Sequence, residues 1–206
     1  SSVKTRILLL RHGQIQANID GHWHGSTDSV LTDFGIKQAK ETGIFLERNA
    51  NIGKVFSSPL QRCLHTAHYA SGFDFEDIET LPGFAEMSIG DWEGTPYKLL
   101  AEKHDFINRS TLDLDYAAPQ GESIQEVFHR FDNALTSIPD NLKLSQDILL
   151  VSHGAALAIA LAGLIDGNIA KWQNYYFSNC SLTELYLDPK PRLGELNSSA
   201  HLASLG

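Results

Sequence analysis

Positive charge is scarce in this chain: 16 Lys and Arg stand against 25 Asp and Glu among 206 residues, a formal net charge of −9. Nucleic acid and anionic membranes select a basic face, so neither is expected as a partner. An anionic small molecule stays compatible if a few cations converge on it, and those must be found one by one. Cysteine is nearly absent. Cys63 and Cys180 lie far apart in apolar contexts, which predicts buried free thiols in a reducing cytoplasm, with a single bridge left open. Ser1 to Lys4 leads directly into an apolar strand without the core of a signal peptide, although a leader cleaved earlier would leave no trace. The longest apolar stretch, Ala155 to Ile165, is too short to span a bilayer and suits a buried helix. Internal repeats and low-complexity tracts are missing as well. What remains is ordinary globular material, 42% hydrophobic and 20% charged, enough for one core and one domain over residues 1–206.

Ile7 to Leu10, Lys54 to Ser57 and Ile148 to Val151 are short apolar runs of the kind that form central strands covered on both faces. Each precedes a helical pattern. Ile36, Ala39, Gly43 and Leu46 follow Thr32 at helical spacing, and Leu60, Leu64 and Ala67 follow Ser58-Pro59, where Ser is the expected cap and Pro the first helical residue. Ser123 to Glu126 has the form of a capping box, and Ile124, Val127, Phe128, Phe131, Leu135 and Ile138 trace one helix face. Strand and helix in alternation predict an α/β domain with a mostly parallel sheet, binding ligands beyond the strands' carboxyl ends. Residues 81–120 break the rhythm with Gly83, Gly90, Gly94, Pro96 and Pro119 around one short helical piece, Tyr97 to Ile107, and read as an insertion over the site. Cys180 to Leu187 alternates as a strand, and Arg192 to Leu202 reads as an edge strand.

Arg11-His12-Gly13 and Ser152-His153-Gly154 both end expected strands, where an open α/β sheet presents ligand groups. One such tripeptide is more often a turn than a site. Arg62, in the first turn of the helix after Ser58-Pro59, shifts the balance, because a guanidinium there can grip a phosphate through two parallel hydrogen bonds. His22-Trp23-His24 has too few further ligands for a metal site and is better read as a rim. His65, His68, His104, His129 and His201 read as helix, surface or packing residues. Glu86 and Glu93 are rival proton donors that the residues alone do not separate.

The blocks taken together resemble the histidine phosphatases, the phosphoglycerate-mutase-like superfamily. Leu9-Leu10-Arg11-His12-Gly13 through Asn18, then Gly25-Ser26-Thr27-Asp28, Leu31-Thr32 and Gly35, are similar to its signature, and Ser57 to Arg62 with Thr66-Ala67 to its second block. Glu86 to Gly94 resembles the acid-bearing block, Gly121-Glu122-Ser123 the start of the following helix, and Val151 to Gly154 the last catalytic block. Arg192-Leu193, Asn197 and His201-Leu202 resemble the closing strand.

The resemblance implies a three-layer α/β/α fold with a mostly parallel central sheet and a lid insertion. It implies His12 as nucleophile, Arg11, Arg62 and His153 as phosphate clamp, Glu86 as proton donor, Asn18 as an auxiliary phosphate contact and Ser26 and Thr27 at the substrate edge. Two guanidinium groups, an imidazolium and the helix N-terminus after Gly154 can neutralise phosphoryl oxygens, so neither a metal nor an organic cofactor is expected. The expected activity is hydrolysis of a small phosphate monoester, such as a phosphosugar, phosphoserine or α-ribazole phosphate, the last because Glu86 to Gly94 is similar to α-ribazole phosphatases. Two rivals stand beside it: a cofactor-dependent phosphoglycerate mutase, and a weakly active member that binds phosphorylated ligands or proteins. Ile15 departs from the Ser or Thr often found third after the nucleophile, which counts more against the mutase than the phosphatase. Neither the substrate nor the oligomeric state follows from the sequence.

Overall fold

Along the first strand Leu8 and Leu10 pack with one group of buried side chains, Ile7 and Leu9 with another. An unbroken apolar run thus becomes a strand covered on both faces. In the computed structural model, which describes residues 5–138 and 145–206, this strand is β1 (Ile7–Arg11), followed by β2 (Ile52–Ser57), β3 (Glu79–Thr80), β4 (Asp147–Ser152), β5 (Leu182–Tyr186) and β6 (Arg192–Leu193). They form one sheet in the order β3-β2-β4-β1-β5-β6. The β3, β2, β4 and β1 neighbours are parallel, and β5 pairs antiparallel with β1 and with β6. Register pairs Arg11 with Ser152, so His12 and His153 leave adjacent strands side by side.

The helices are α1 (Gln16–Asp20), α2 (Asp33–Asn49), α3 (Gln61–Ser71), α4 (Tyr97–Glu102), α5 (Phe106–Leu112), α6 (Ile124–Thr136) and α7 (Gly154–Asp166). On one sheet face Ala39 and Leu46 of α2 and Cys63 and Ala67 of α3 meet Leu8, Leu10, Val55, Leu149 and Val151. On the other, α6 and α7 cover Ile7, Leu9, Ile148 and Leu150. This is the expected three-layer α/β/α arrangement with a mostly parallel sheet. Residues of the 81–120 insertion, among them Phe84, Met87, Ile89, Leu100 and Phe106, join the same buried group as α6 and α7. Both cysteines are free and buried. Among the described residues no helix is long and apolar enough to cross a membrane.

Local signals were followed unevenly. Thr32 caps α2 by accepting from Gly35, and Ser123 and Glu126 form the expected capping box of α6. Three expectations are corrected. The helix after Ser58-Pro59 starts at Gln61, with its first N–H donating to Asp28 Oδ1 at 2.8 Å, while the Ser58 hydroxyl serves Leu60 N and His153 instead. The single helical piece at Tyr97 to Ile107 is two helices, broken where Asp105 takes a left-handed conformation of φ 47°. Of the last segment Arg192–Leu193 is strand, Ser198 adds an antiparallel bridge to Leu182, and Ala200–Leu205 turns into a 3-10 helix.

Candidate active site

The chain holds His12 from several sides. Its N–H donates to Ser152 O, while Cys180 N and Asn179 Nδ2 both donate to its carbonyl oxygen. The turn beyond it depends on two glycines. A Cβ at Gly13 would stand 2.6 Å from Gly35 O, and one at Gly35 2.2 Å from Gln14 O, so neither site admits a side chain without moving backbone. Within this frame His12 Nδ1 lies 2.7 Å from Gly13 O. A carbonyl only accepts, so Nδ1 carries the proton and the ring lone pair sits on Nε2. Burial, and then the Arg11 and Arg62 cations, hold the His12 pKa well below its ordinary value of 6.5. The ring is a neutral imidazole whose free nitrogen is Nε2.

His153 lies beside it, with ring centroids 5.2 Å apart in an edge-to-face arrangement. Its Nε2 is 2.8 Å from the Ser58 hydroxyl and 3.3 Å from Cys63 Sγ. Burial first, then Arg62, His12 and Arg11, lower its pKa well below 6.5. His153 is therefore a neutral imidazole rather than the imidazolium expected from the sequence, and an anion beside it would favour its protonation.

Arg62 is fully buried, and its guanidinium donates to the carbonyls of Thr27, His24 and Gly25. Arg11 donates to Phe177 O. These bonds aim both forks but leave Arg11 Nε, Arg62 Nε and His153 Nδ1 buried without a partner. An unpaired buried donor costs about 1–3 kcal/mol, and the two guanidinium Nε–H groups are donors that an anion would satisfy.

The two rival acids separate cleanly. Glu86 lines the cavity that holds Arg11 and His12. Its Oε1 accepts from Met87 N at 2.9 Å and Ala156 N at 2.8 Å, and its Oε2 only from Ala155 N at 3.2 Å. The N–H groups of Ala155 and Ala156, in the first turn of α7, are thus taken by Glu86. Glu93 accepts from Gly25 N, Thr27 N, the Thr27 hydroxyl and Ile89 N, so it pins the loop whose carbonyls hold Arg62. Arg130, unmarked in the sequence, ties the acid-bearing turn to α6: it donates to the carbonyls of Gly83, Ala85 and Glu86 and pairs with Glu122 at 2.8 Å.

The cavity measures about 420 Å³, within the range of small-molecule sites. Asn18 lines it, its Oδ1 engaged by Ile15 N and Asn179 Nδ2. Ser26 and Thr27 do not: both are exposed, and the Thr27 hydroxyl is turned to Glu93. His24 belongs to the cavity wall, while Trp23 Nε1 donates to Met87 O. Trp172, Gln173, Tyr175, Tyr176, Phe177 and Asn179 complete the wall, a stretch to which the sequence drew no attention. A larger hollow of about 600 Å³ between α2 and α3 shares no residue with it and has none of these groups. The one cluster of metal-ligand type among the described residues, Asp74, Glu76 and Asp77, is exposed and lies outside the cavity.

The buried histidines carry a consequence for stability. The unfolded chain protonates them near pH 6.5 whereas the folded chain resists, so their contribution is intact above that pH and is lost as pH falls from 6.5 toward the much lower folded values. The expected slope is roughly 1.4 kcal/mol per pH unit for each proton taken up. Calorimetry near pH 5.5 in buffers of different ionisation enthalpy should show uptake of more than one proton on unfolding, and zero uptake would contradict the buried neutral state.

Known proteins are similar to this chain in sequence and in fold. The adenosylcobalamin/α-ribazole phosphatase of Escherichia coli K12 is 32% identical over 162 residues, covering 78% of this chain and 79% of that one. The phosphoserine phosphatase of Entamoeba histolytica, solved with 3-phosphoglyceric acid, superposes with a TM-score of 0.81 at 28% identity over 96% of this chain and 99% of that one. A mycobacterial glucosyl-3-phosphoglycerate phosphatase, solved with VO3, gives 0.80 at 25% identity over 95% and 100%. The profile of the histidine phosphatase superfamily (branch 1) matches residues 7–197, and with both histidine blocks inside that span the chain belongs to this superfamily.

Proposed function

We propose that the protein is a phosphatase that hydrolyses a small phosphate monoester through a phosphohistidine on His12, with Glu86 as general acid and base. The observation that carries this reading is the pairing of a neutral His12, its lone pair on Nε2, with partnerless nitrogens on Arg11, Arg62 and His153. Nε2 attacks phosphorus as the ester P–O bond breaks, and Glu86 gives its proton to the departing alkoxide oxygen. Oε2, with its single long hydrogen bond, is the oxygen free to carry that proton. Water then attacks phosphorus, Glu86 takes a proton back, and the N–P bond breaks to release phosphate. Arg11 and Arg62 offset the charge on the equatorial oxygens throughout, with Asn18 at the cavity wall as an auxiliary contact.

The relatives act, by their names, on α-ribazole phosphate, phosphoserine and glucosyl-3-phosphoglycerate, so kinship supports hydrolysis without selecting a substrate. A panel of phosphorylated metabolites, assayed for phosphate release with and without EDTA, tests the reading: turnover undiminished by EDTA is expected, and no release from any member would sink it. Arg62→Ala should lower kcat/KM by about 10²-fold, roughly 3 kcal/mol, as for one lost preorganised donor. Arg62→Lys should recover only part of that, because a point charge cannot reproduce the planar fork. Full activity in Arg62→Ala would remove the guanidinium from the clamp.

A further inference from the structure

The part of the cavity beyond the clamp is built differently from the clamp itself. Among its described lining residues Arg11 is the sole Arg or Lys and Glu86 the sole acid. His24 adds no charge near neutral pH, since burial and then Arg62 lower its pKa. Six further lining residues carry rings, Trp23, Tyr97, Trp172, Tyr175, Tyr176 and Phe177, of which Trp23, Trp172 and Phe177 are buried. Several of these rings are braced. Trp23 packs edge to face on Tyr97 and Phe106, with centroids 6.1 and 5.7 Å away, and the Tyr175 hydroxyl is bound to Asp166 at 2.9 Å. Tyr176, 71% exposed, stands at the mouth.

We propose that the leaving group this site selects is an uncharged alcohol bearing a planar ring, and that the site discriminates against phosphate esters that carry a carboxylate. The proposal rests on the phosphatase reading and names its substrate class. Flat apolar rings offer a planar group stacking and apolar burial, which any ring can use. A carboxylate entering the same space loses water and finds, among the described lining residues, no cation except one already committed to the phosphoryl group. Neutral donors replace only part of what it loses, because hydrogen bonds to an uncharged donor are weaker than charge-assisted pairs. Asn179 has spent its Nδ2 on His12 O and Asn18 Oδ1. Ile15 adds a further apolar surface to the wall.

The test uses the full chain and four alkyl esters, so that the breaking bond is of one type: benzyl phosphate, glycerol 1-phosphate, 3-phosphoglycerate and phosphoserine, with p-nitrophenyl phosphate as the activity control. Benzyl phosphate is expected to exceed both carboxylated esters in kcat/KM by on the order of 10²-fold, with glycerol 1-phosphate between, the scale on which a pocket rejects a group it leaves unpaired. Tyr97→Ala should raise KM for benzyl phosphate about tenfold while changing its kcat and the KM of glycerol 1-phosphate far less. Gln173→Arg should raise kcat/KM for 3-phosphoglycerate by about tenfold, by supplying the missing cation. Carboxylated esters that equal or outrun benzyl phosphate would overturn the proposal, as would turnover of p-nitrophenyl phosphate alone. No phosphate release from any of the five would instead overturn the phosphatase reading beneath it.

Discussion

Replacing His12 by Ala should lower kcat/KM for every phosphate ester by on the order of 10⁴-fold or more, since loss of a nucleophile costs more than loss of any supporting group. The fold should survive. The side chain's one hydrogen bond goes to the carbonyl of its own neighbour, Gly13, while the backbone is held separately by Ser152, Asn179 and Cys180. Melting temperature should therefore fall by only a few degrees, at about 2–4 °C per kcal/mol for a chain of this size. Steady-state kinetics and a melting curve on one preparation check both halves. Near wild-type turnover would remove His12 from the chemistry, and an unfolded variant would show that its role is structural.

The second large effect belongs to Glu86. Glu86→Gln should slow alkyl phosphates by about 10² to 10⁴, the scale of a lost acid or base. The first step with p-nitrophenyl phosphate should suffer far less, because that leaving group departs as a stable anion. A pre-steady-state comparison of phosphoenzyme formation from the two ester types separates acid catalysis from damage to the turn. The control matters, because Glu86 also accepts from Ala155 and Ala156 at the start of α7, and an amide replaces those bonds only in part. Equal losses for both esters would deny Glu86 the acid role. Glu93→Gln should instead lower the melting temperature, through the Gly25 to Thr27 loop it anchors, and show no preference between ester types. A selective loss there would transfer the role to Glu93.

Much of this arrangement was legible in the residues because strand ends and helix caps are local. The apolar runs at Ile7 to Leu10 and Ile148 to Val151 are of the kind expected for central strands, and the sheet order that makes them neighbours comes from the structure. Asn18, which the resemblance singled out, does line the cavity. What escaped depends on partners far along the chain. Asp28 caps α3 from 33 residues away, and no spacing rule reports such a cap, so Ser58 was the natural but mistaken choice. Arg130 sits on α6 where a solvated cation would also sit, and only the carbonyls of Gly83, Ala85 and Glu86 reveal its task. The wall from Trp172 to Asn179 follows neither a 3.6 nor a 2 period, because a 3-10 helix over Ile169–Asn174 and an extended stretch build it. Ser26 and Thr27 were read by resemblance as a substrate edge, yet the Thr27 hydroxyl serves Glu93 and its carbonyl serves Arg62.

The account turns on one atom, Nε2 of His12, left free because Gly13 O takes the Nδ1 proton. Rapid mixing of enzyme with benzyl phosphate or p-nitrophenyl phosphate, alkaline denaturation to preserve the N–P bond, and ³¹P NMR with peptide mass mapping would locate the trapped phosphoryl group. The result expected is a phosphohistidine at residue 12, substituted on Nε2, formed and lost at rates that match turnover. Phosphate on Nδ1 or on another residue, or turnover with no phosphoenzyme in the quench, would contradict it.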